Sequence, residues 1–395
     1  MTHAIPRRAA LLGLSSVLSL GGAALAVANA PTDRRFVAVI LRGALDGLAA
    51  VAPYGDPGLM VLRSDLVPPM PGQENGLLDL GGFYGLHPAL PRLHALYQAH
   101  ELAVIHAVAG PYRARSHFEA QDFLESGGDQ RMTSGWLNRA AAALPAAPHA
   151  LARAIAIGPT VPLLLRGAVP VANWAPHGFA EPRNELYQAI MALNKGDHLT
   201  GPAIATGMRD RGFGAAVIGK MEKTPPRAAF ATLAAAAGSM LRAADGPRLA
   251  ALEIGGWDTH GAQVNRLGGA LGQLDAGLDG LRTALGETWA STIVLVMTEF
   301  GRTARMNGTK GTDHGTAGVA FVLGGAVAGG RVLGSWPGLS QGQLFENRDL
   351  APTTDLRSVA KGILAGHLGL SPAALGAVFP GSAQAGTMNG LVRAV

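Results

Sequence analysis

Hydrophobic positions along the chain fall into short apolar runs separated by amphipathic stripes. Arg34 to Arg42 (RRFVAVILR), Leu102 to Val108 (LAVIHAV), Ile155 to Gly158, Leu249 to Ile254, Thr292 to Met297 and Val319 to Leu323 have the length and residue content of strands buried on both faces. Between them, apolar residues recur at helical spacing. Leu90, Leu93, Leu96 and Tyr97 mark a helix in Pro88 to Gln98, and Leu267, Leu271, Leu274, Leu278, Leu281 and Leu285 mark a long one from about Val264 to Leu285. An alanine-rich helix is expected from Ala228 to Ala243, and a closing helix from Asp355 to Leu368 with Thr353 or Thr354 as its cap. This alternation predicts an α/β fold with a mostly parallel central sheet flanked by helices. Leu48 to Gly85, rich in Pro and Gly, reads as irregular, and Arg331 to Pro337 as a short edge or hairpin. From 160 to 244 the pattern breaks at Pro162, Pro170, Pro176, Pro182 and Pro202, which predicts an inserted helical, loop-rich cap within a single domain spanning 31–395.

Polar chemistry collects where these strands end. Asp46 follows the first run, and Arg113, Arg115, Ser116 and His117 follow the second. Asp258 and His260 follow Leu249 to Ile254. Thr292 to Met297 leads into Glu299 and Arg302, then a Gly-rich loop carrying Asp313 and His314. In open α/β sheets, ligands bind outside the carboxyl ends of the strands. Each residue also has a plain structural reading. Asp46 suits a turn or helix N-cap. Ser116 with Glu119 fits a capping box, while a hydroxyl at a helix N-terminus also suits a nucleophile facing an anion. His117 reads equally as a ligand or a helix residue, and the arginines either hold an anion or solvate the loop. Together the oxygen and imidazole donors suit one or two divalent ions (Zn²⁺, Mn²⁺ or Mg²⁺) that polarise a phosphoryl or acyl oxygen.

Composition narrows the field. With 48% hydrophobic and 15% charged residues, the 395-residue chain is globular rather than disordered. Its net charge of +5 is scattered without a Lys/Arg run, so nucleic acid is not expected as a partner. It has no cysteine, which excludes disulfides, thiolate ligands and a cysteine nucleophile. Arg7-Arg8 before a mildly apolar stretch and Ala28-Asn29-Ala30 read as a signal peptide over 1–30, with cleavage after Ala28 or Ala30. The pair resembles a twin-arginine signal, so the export machinery is the expected partner and the periplasm or exterior the destination. The leader is also nearly long enough to act as an uncleaved anchor; no later segment reads as transmembrane.

Several segments together carry a family resemblance: LRGALDGLAAVAPYGDP, LHPAL, RSHFEAQDFLESG, GGWDTH, TEFGRT, GTDHGTAG and DLAPTTDLR. The chain resembles the bacterial exported family called domain of unknown function 1501, which is itself similar to the alkaline-phosphatase and sulfatase superfamily. The resemblance implies an alkaline-phosphatase-like fold with a two-metal site at the strand ends. It implies metal ligation by Asp46, Asp258, His260, Glu299 and His314, with His117 or Asp313 completing a second site, and Ser116 as nucleophile. Glu299-Phe300 stands where that superfamily has an adjacent Asp-His pair. The function expected on this basis is hydrolysis of a small anionic phosphate, sulfate or related ester, with Arg302 or Arg115 holding the anion. The rival expectation is an exported binding or assembly protein that keeps the fold without the chemistry.

Overall fold

The computed structural model describes residues 33–145, 153–176 and 230–394. The leader and residues 177–229, the middle of the expected cap, lie outside the described residues.

Twelve strands form among the described residues: β1 (Arg35–Arg42), β2 (Val51–Ala52), β3 (Leu78–Asp79), β4 (Gly85–Leu86), β5 (Leu102–Ala109), β6 (Ala154–Ile157), β7 (Ala172–Trp174), β8 (Leu249–Gly255), β9 (Thr292–Thr298), β10 (Gly318–Leu323), β11 (Arg331–Leu333) and β12 (Thr354–Asp355). The main sheet runs β11-β5-β10-β9-β1-β8-β6-β7, with β12 also paired to β5. β1 lies parallel to β8 and β9, and β6 parallel to β7 and β8. Only β10 among them runs the other way, antiparallel to both β5 and β9. The expected α/β fold, a mostly parallel central sheet flanked by helices, is what forms.

The continuous apolar runs arise because both faces of the sheet are covered. On β1, Val37, Val39 and Leu41 join one core and Phe36, Ala38 and Ile40 the other, following the two-residue period of a strand. The first core is closed by helices Pro91–Gln98, Phe230–Arg242 and Gln263–Leu285, whose leucine stripe is wholly buried. Trp136–Ala143, Leu356–Leu368 and Pro372–Val378 close the second. Deleting one such leucine to alanine costs roughly 2–5 kcal/mol, which explains why the stripe is unbroken.

The structure adds detail to three expected stretches. Within 160–244, β7 extends the main sheet and Phe230–Arg242 packs along Gln263–Leu285. Leu48 to Gly85 is not wholly irregular: β2, β4 and β3 form a small antiparallel sheet there. The closing helix is capped by Asp355, whose carboxylate accepts from the Arg357 N–H, and not by a threonine.

Two buried histidines tie these parts together. His106 on β5 accepts from the Ala107 N–H at Nδ1 (2.9 Å) and donates from Nε2 to the Val51 carbonyl (2.9 Å), which fixes it as neutral and joins the two sheets. His367 reaches the Arg35 carbonyl through Nε2 at 2.9 Å. Burial pushes both down to about 4. Above the unfolded value of about 6.5 neither affects stability; as pH falls from there towards 4, only the unfolded chain takes up the proton. Stability should therefore fall by at most about 1.4 kcal/mol per pH unit per histidine across that window. Denaturant midpoints measured from about pH 7 to about pH 5 should drop less steeply in His367→Gln than in the parent. Equal slopes would show that His367 carries no such linkage.

Candidate metal centre

The parallel strands deliver their following loops to one edge of the sheet, and the reversed β10 brings the residues before it to that same edge. Thus the segments after β1, β5, β8 and β9 meet Asp313-His314, which precedes β10. A short bridge locks the last two together: Arg302 pairs antiparallel with His314, with Gly315 N–H on the Gly301 carbonyl (2.8 Å) and Thr303 N–H on the Asp313 carbonyl (2.9 Å). Close passage needs glycine at Gly311, where a Cβ would lie 2.3 Å from the His260 carbonyl carbon.

Four ligand-type atoms converge here. His314 Nε2 lies 3.0 Å from both His117 Nε2 and His260 Nε2. Asp258 Oδ1 lies 3.0 Å from His260 Nε2, 3.4 Å from His314 Nε2 and 3.7 Å from His117 Nε2. A tetrahedral zinc site with bonds of about 2.0–2.1 Å has ligand–ligand edges of about 3.3 Å, inside this range.

Each imidazole is oriented from behind through Nδ1. His117 Nδ1 meets Glu299 Oε1 at 2.8 Å, His260 Nδ1 meets Asp313 Oδ1 at 3.2 Å, and His314 Nδ1 meets the Arg115 carbonyl at 3.0 Å. Carboxylates and carbonyls only accept, so all three Nδ1 atoms carry a proton, and each ring that is neutral presents a lone pair at Nε2. Lone pairs 3.0 Å apart repel unless a cation or a proton lies between them. The donor set therefore fits a divalent metal, with imidazole nitrogen and carboxylate oxygen favouring zinc among the expected ions. The ligand-type atoms of His117, Asp258 and His314 all lie within 4.8 Å of one another, with His260 beside Asp258 and His314.

The surrounding electrostatics follow from these contacts. Glu299's hydrogen bond is the largest influence on His117 and raises it, outweighing burial. His314 is lowered, first by burial and then by the positive charge of its neighbours. Burial pushes Asp258 upward, but the Arg302 hydrogen bond (2.6 Å) and charge carry it below the usual carboxylate range.

The expected site residues thus separate into layers. His117, Asp258, His260 and His314 are brought together. Glu299 and Asp313 lie behind the rings, at Nδ1 of His117 and of His260. Glu299, its side chain 0% exposed, already receives Gly43 N–H (2.8 Å), Gln121 Nε2 (3.2 Å), Thr298 Oγ1 (2.9 Å) and His117. Asp313 holds His260 and Asn307. Asp46 lies apart from the four converging atoms. It is buried, forms both oxygen contacts with Arg63 Nη1 at 2.8 Å, and receives Gln263 Nε2 at 2.6 Å while capping Gly47–Ala50. Arg302 holds Asp258 and Thr312. The Arg115 guanidinium is occupied by Asp349 and Glu346, so its contribution is the carbonyl, presented from a left-handed backbone (φ 62°). Ser116 occupies the N-cap position before His117, yet its hydroxyl does not cap the helix. Asn307, Arg63 and Gln263 carry no motif, and none of these or Gln121 was expected at the site from sequence.

A family model settles the relationship: it matches residues 100–379, most of the chain. The chain belongs to the family described as Protein of unknown function (DUF1501). The matched region of this DUF1501 member contains all four converging side chains, while Asp46 precedes it. No curated protein matches the sequence. Similar solved structures include Ps i-CgsB in complex with k-i-k-neocarrahexaose (TM-score 0.39, 11% identity, covering 86% of this chain and 73% of that one). Others are the phosphonate monoester hydrolase of Agrobacterium radiobacter (0.37, 11%, 86% and 74%) and the C-terminal periplasmic domain of EcEptC from Escherichia coli in complex with Zn (0.33, 11%, 76% and 77%). Likeness at this level assigns no role to any residue here.

The layering predicts opposite phenotypes for two aspartates. Asp46→Asn leaves Arg63 buried without its ion-pair partner and should cost about 3–5 kcal/mol, yet spare zinc binding in the folded protein. Asp258→Asn should weaken zinc binding sharply while moving the denaturation midpoint little in chelator. Zinc titration beside chemical denaturation reads both. Loss of zinc in folded Asp46→Asn would place Asp46 among the ligands.

Proposed function

We propose that the chain is an exported, divalent-metal-dependent hydrolase of phosphate, sulfate or related small anionic esters. The observation that supports it most is the convergence of three imidazole lone pairs and a carboxylate oxygen, each oriented by a second partner. His117, His260, His314 and Asp258 would hold the ion. When bound, it supplies Lewis acidity towards an oxygen of the ester. Glu299, Asp313 and the Arg115 carbonyl keep the rings aimed, and Arg302 keeps Asp258 in place. Ser116, with a hydroxyl that leaves the helix N-terminus uncapped, is the proposed nucleophile, where the helix dipole favours an approaching anion. His260 and Asp258 side chains are 45% and 44% exposed, so a small ester reaches this face from solvent. Export through the twin-arginine leader to the periplasm or exterior belongs to the same reading. Among the described residues no helix is long and apolar enough to cross a membrane.

One observation favours the rival, a metal-stabilised binding or assembly protein. Both arginines expected to hold the anion, Arg115 and Arg302, have their guanidinium groups committed to carboxylates or to Thr312.

The test is metal content of the mature protein after native export, beside His260→Ala, His314→Ala and Ser116→Ala, followed by a screen of phosphate and sulfate monoesters. Near-stoichiometric metal should disappear in both histidine variants. Ser116→Ala should keep the metal and lose ester turnover by roughly a thousandfold or more. Metal bound without turnover of any ester favours the binding protein. Absence of metal from equally folded proteins removes the hydrolase reading.

A further inference from the structure

A groove of about 700 Å³ lies on the other side of Asp313 from the metal centre. It runs between the helix Pro57–Arg63, the loop carrying Thr303 to Asp313, and the segment from Leu339 to Arg348. Its size falls within the roughly 300–1,000 Å³ of ligand sites. Asp313 lines it and touches His260 at Nδ1, away from the converging Nε2 atoms. The groove is therefore beside the metal centre and separate from it.

Its lining has a definite chemistry. The side chains of Arg305, Gln341 and Asn347 are exposed and make no hydrogen bond or ion pair among the described residues. Arg348 spends one terminal nitrogen on Asp349 (3.0 Å) and keeps the rest of its guanidinium donors. Asn307, by contrast, is consumed by the loop itself, bonding the His260 carbonyl and Asp313. The floor is aliphatic, from Leu62, Leu339 and Leu344, with Val61 at 76% exposure at the rim. No aromatic side chain lines it, so a nucleobase has nothing to stack on.

We propose that this groove binds an anionic, hydroxyl-rich chain of a few units, of the chemical class of an acidic oligosaccharide. The two guanidinium groups take its carboxylate or ester anions through charge-assisted bonds, and Gln341 and Asn347 offer both donors and acceptors to hydroxyls. The aliphatic floor accepts the C–H faces of the rings. The single carboxylate in the lining, Asp313, is engaged by His260 and Asn307 and leaves the groove net positive. Nothing in this assignment requires metal or turnover.

Calorimetric titration of the full mature chain with trigalacturonate and with neutral maltotriose, each in metal-loaded and chelator-treated protein, tests it. Trigalacturonate should bind in both forms, more weakly at higher salt, and maltotriose about tenfold or more weakly. Arg305→Gln and Arg348→Gln should each weaken trigalacturonate about tenfold, with Arg305→Lys retaining part of the affinity. Arg305 and Gln341 are exposed, so Arg305→Gln and Gln341→Ala keep the fold, which circular dichroism verifies. Three results would overturn the assignment. They are affinity unchanged in Arg305→Gln and Asn347→Ala, binding only to metal-loaded protein with loss in His314→Ala, and equal affinity for triglutamate peptide. The first empties the groove, the second moves the ligand to the metal centre, and the third replaces the ligand class. A failed ester screen touches none of these readouts.

Discussion

Imidazole nitrogens packed 3.0 Å apart around one carboxylate are unfavourable company without a cation or proton between them, and much of this molecule serves to hold them there. Each ring is pinned from its far side by an acceptor that cannot release it, and those acceptors come from distant parts of the chain: Glu299 after β9, Asp313 before β10, and the Arg115 carbonyl after β5. Local sequence cannot assemble such a set. The parallel sheet can, because strands far apart in sequence finish along one edge, and the reversed β10 adds its leading loop to that edge. Without the reversal, His314 would lie at the opposite end of the strands from Asp258.

Beneath the convergence lies a second polar layer that stabilises the edge without touching the ligand atoms. Asp46, Arg63, Gln263 and Thr312 form a buried network, and Thr312 passes it on to Arg302, which grips Asp258. A buried ion pair recovers its desolvation cost only when its remaining donors and acceptors are satisfied, and here they are: Arg63 also reaches the carbonyls of Thr303 and Ala304. The network fixes the start of Gln263–Leu285 against the loop carrying Asp313 and His314. The leucine stripe of that helix then transmits the rigidity of the core to the edge.

How much of this was legible in the sequence depends on distance along the chain. Strands and the long helix were readable because their periodicity is local, and their bounds differ from expectation by only a residue or two. The four converging side chains were readable as candidates because each follows or precedes an apolar run, which is itself a local signal. Which candidates meet at Nε2 and which lie behind the rings was not. Asp46 and Asp258 look alike in sequence, each an aspartate shortly after a strand, and in the fold each meets an arginine; the three histidines gathered around Asp258 distinguish them. Glu299 likewise offers no sign that Gly43, Gln121 and Thr298 saturate it. The closing helix shows the same limit on a smaller scale, since Asp355 and the two threonines before it are all good caps and the backbone selects one.

The contrast between committed and uncommitted side chains separates two surfaces that share Asp313. On the metal face, Arg302 and Arg115 are spent on protein carboxylates, Thr312 and the loops around them, so that face offers position rather than free positive charge. On the groove side, Arg305, Gln341 and Asn347 are spent on nothing within the described residues. Holding solvated, unpaired polar side chains together around a concave surface brings the fold no stability, whereas the same groups gain directional bonds when a polar anion enters. Committed and uncommitted polar groups thus lie on either side of one carboxylate, Asp313, which touches His260 and also lines the groove.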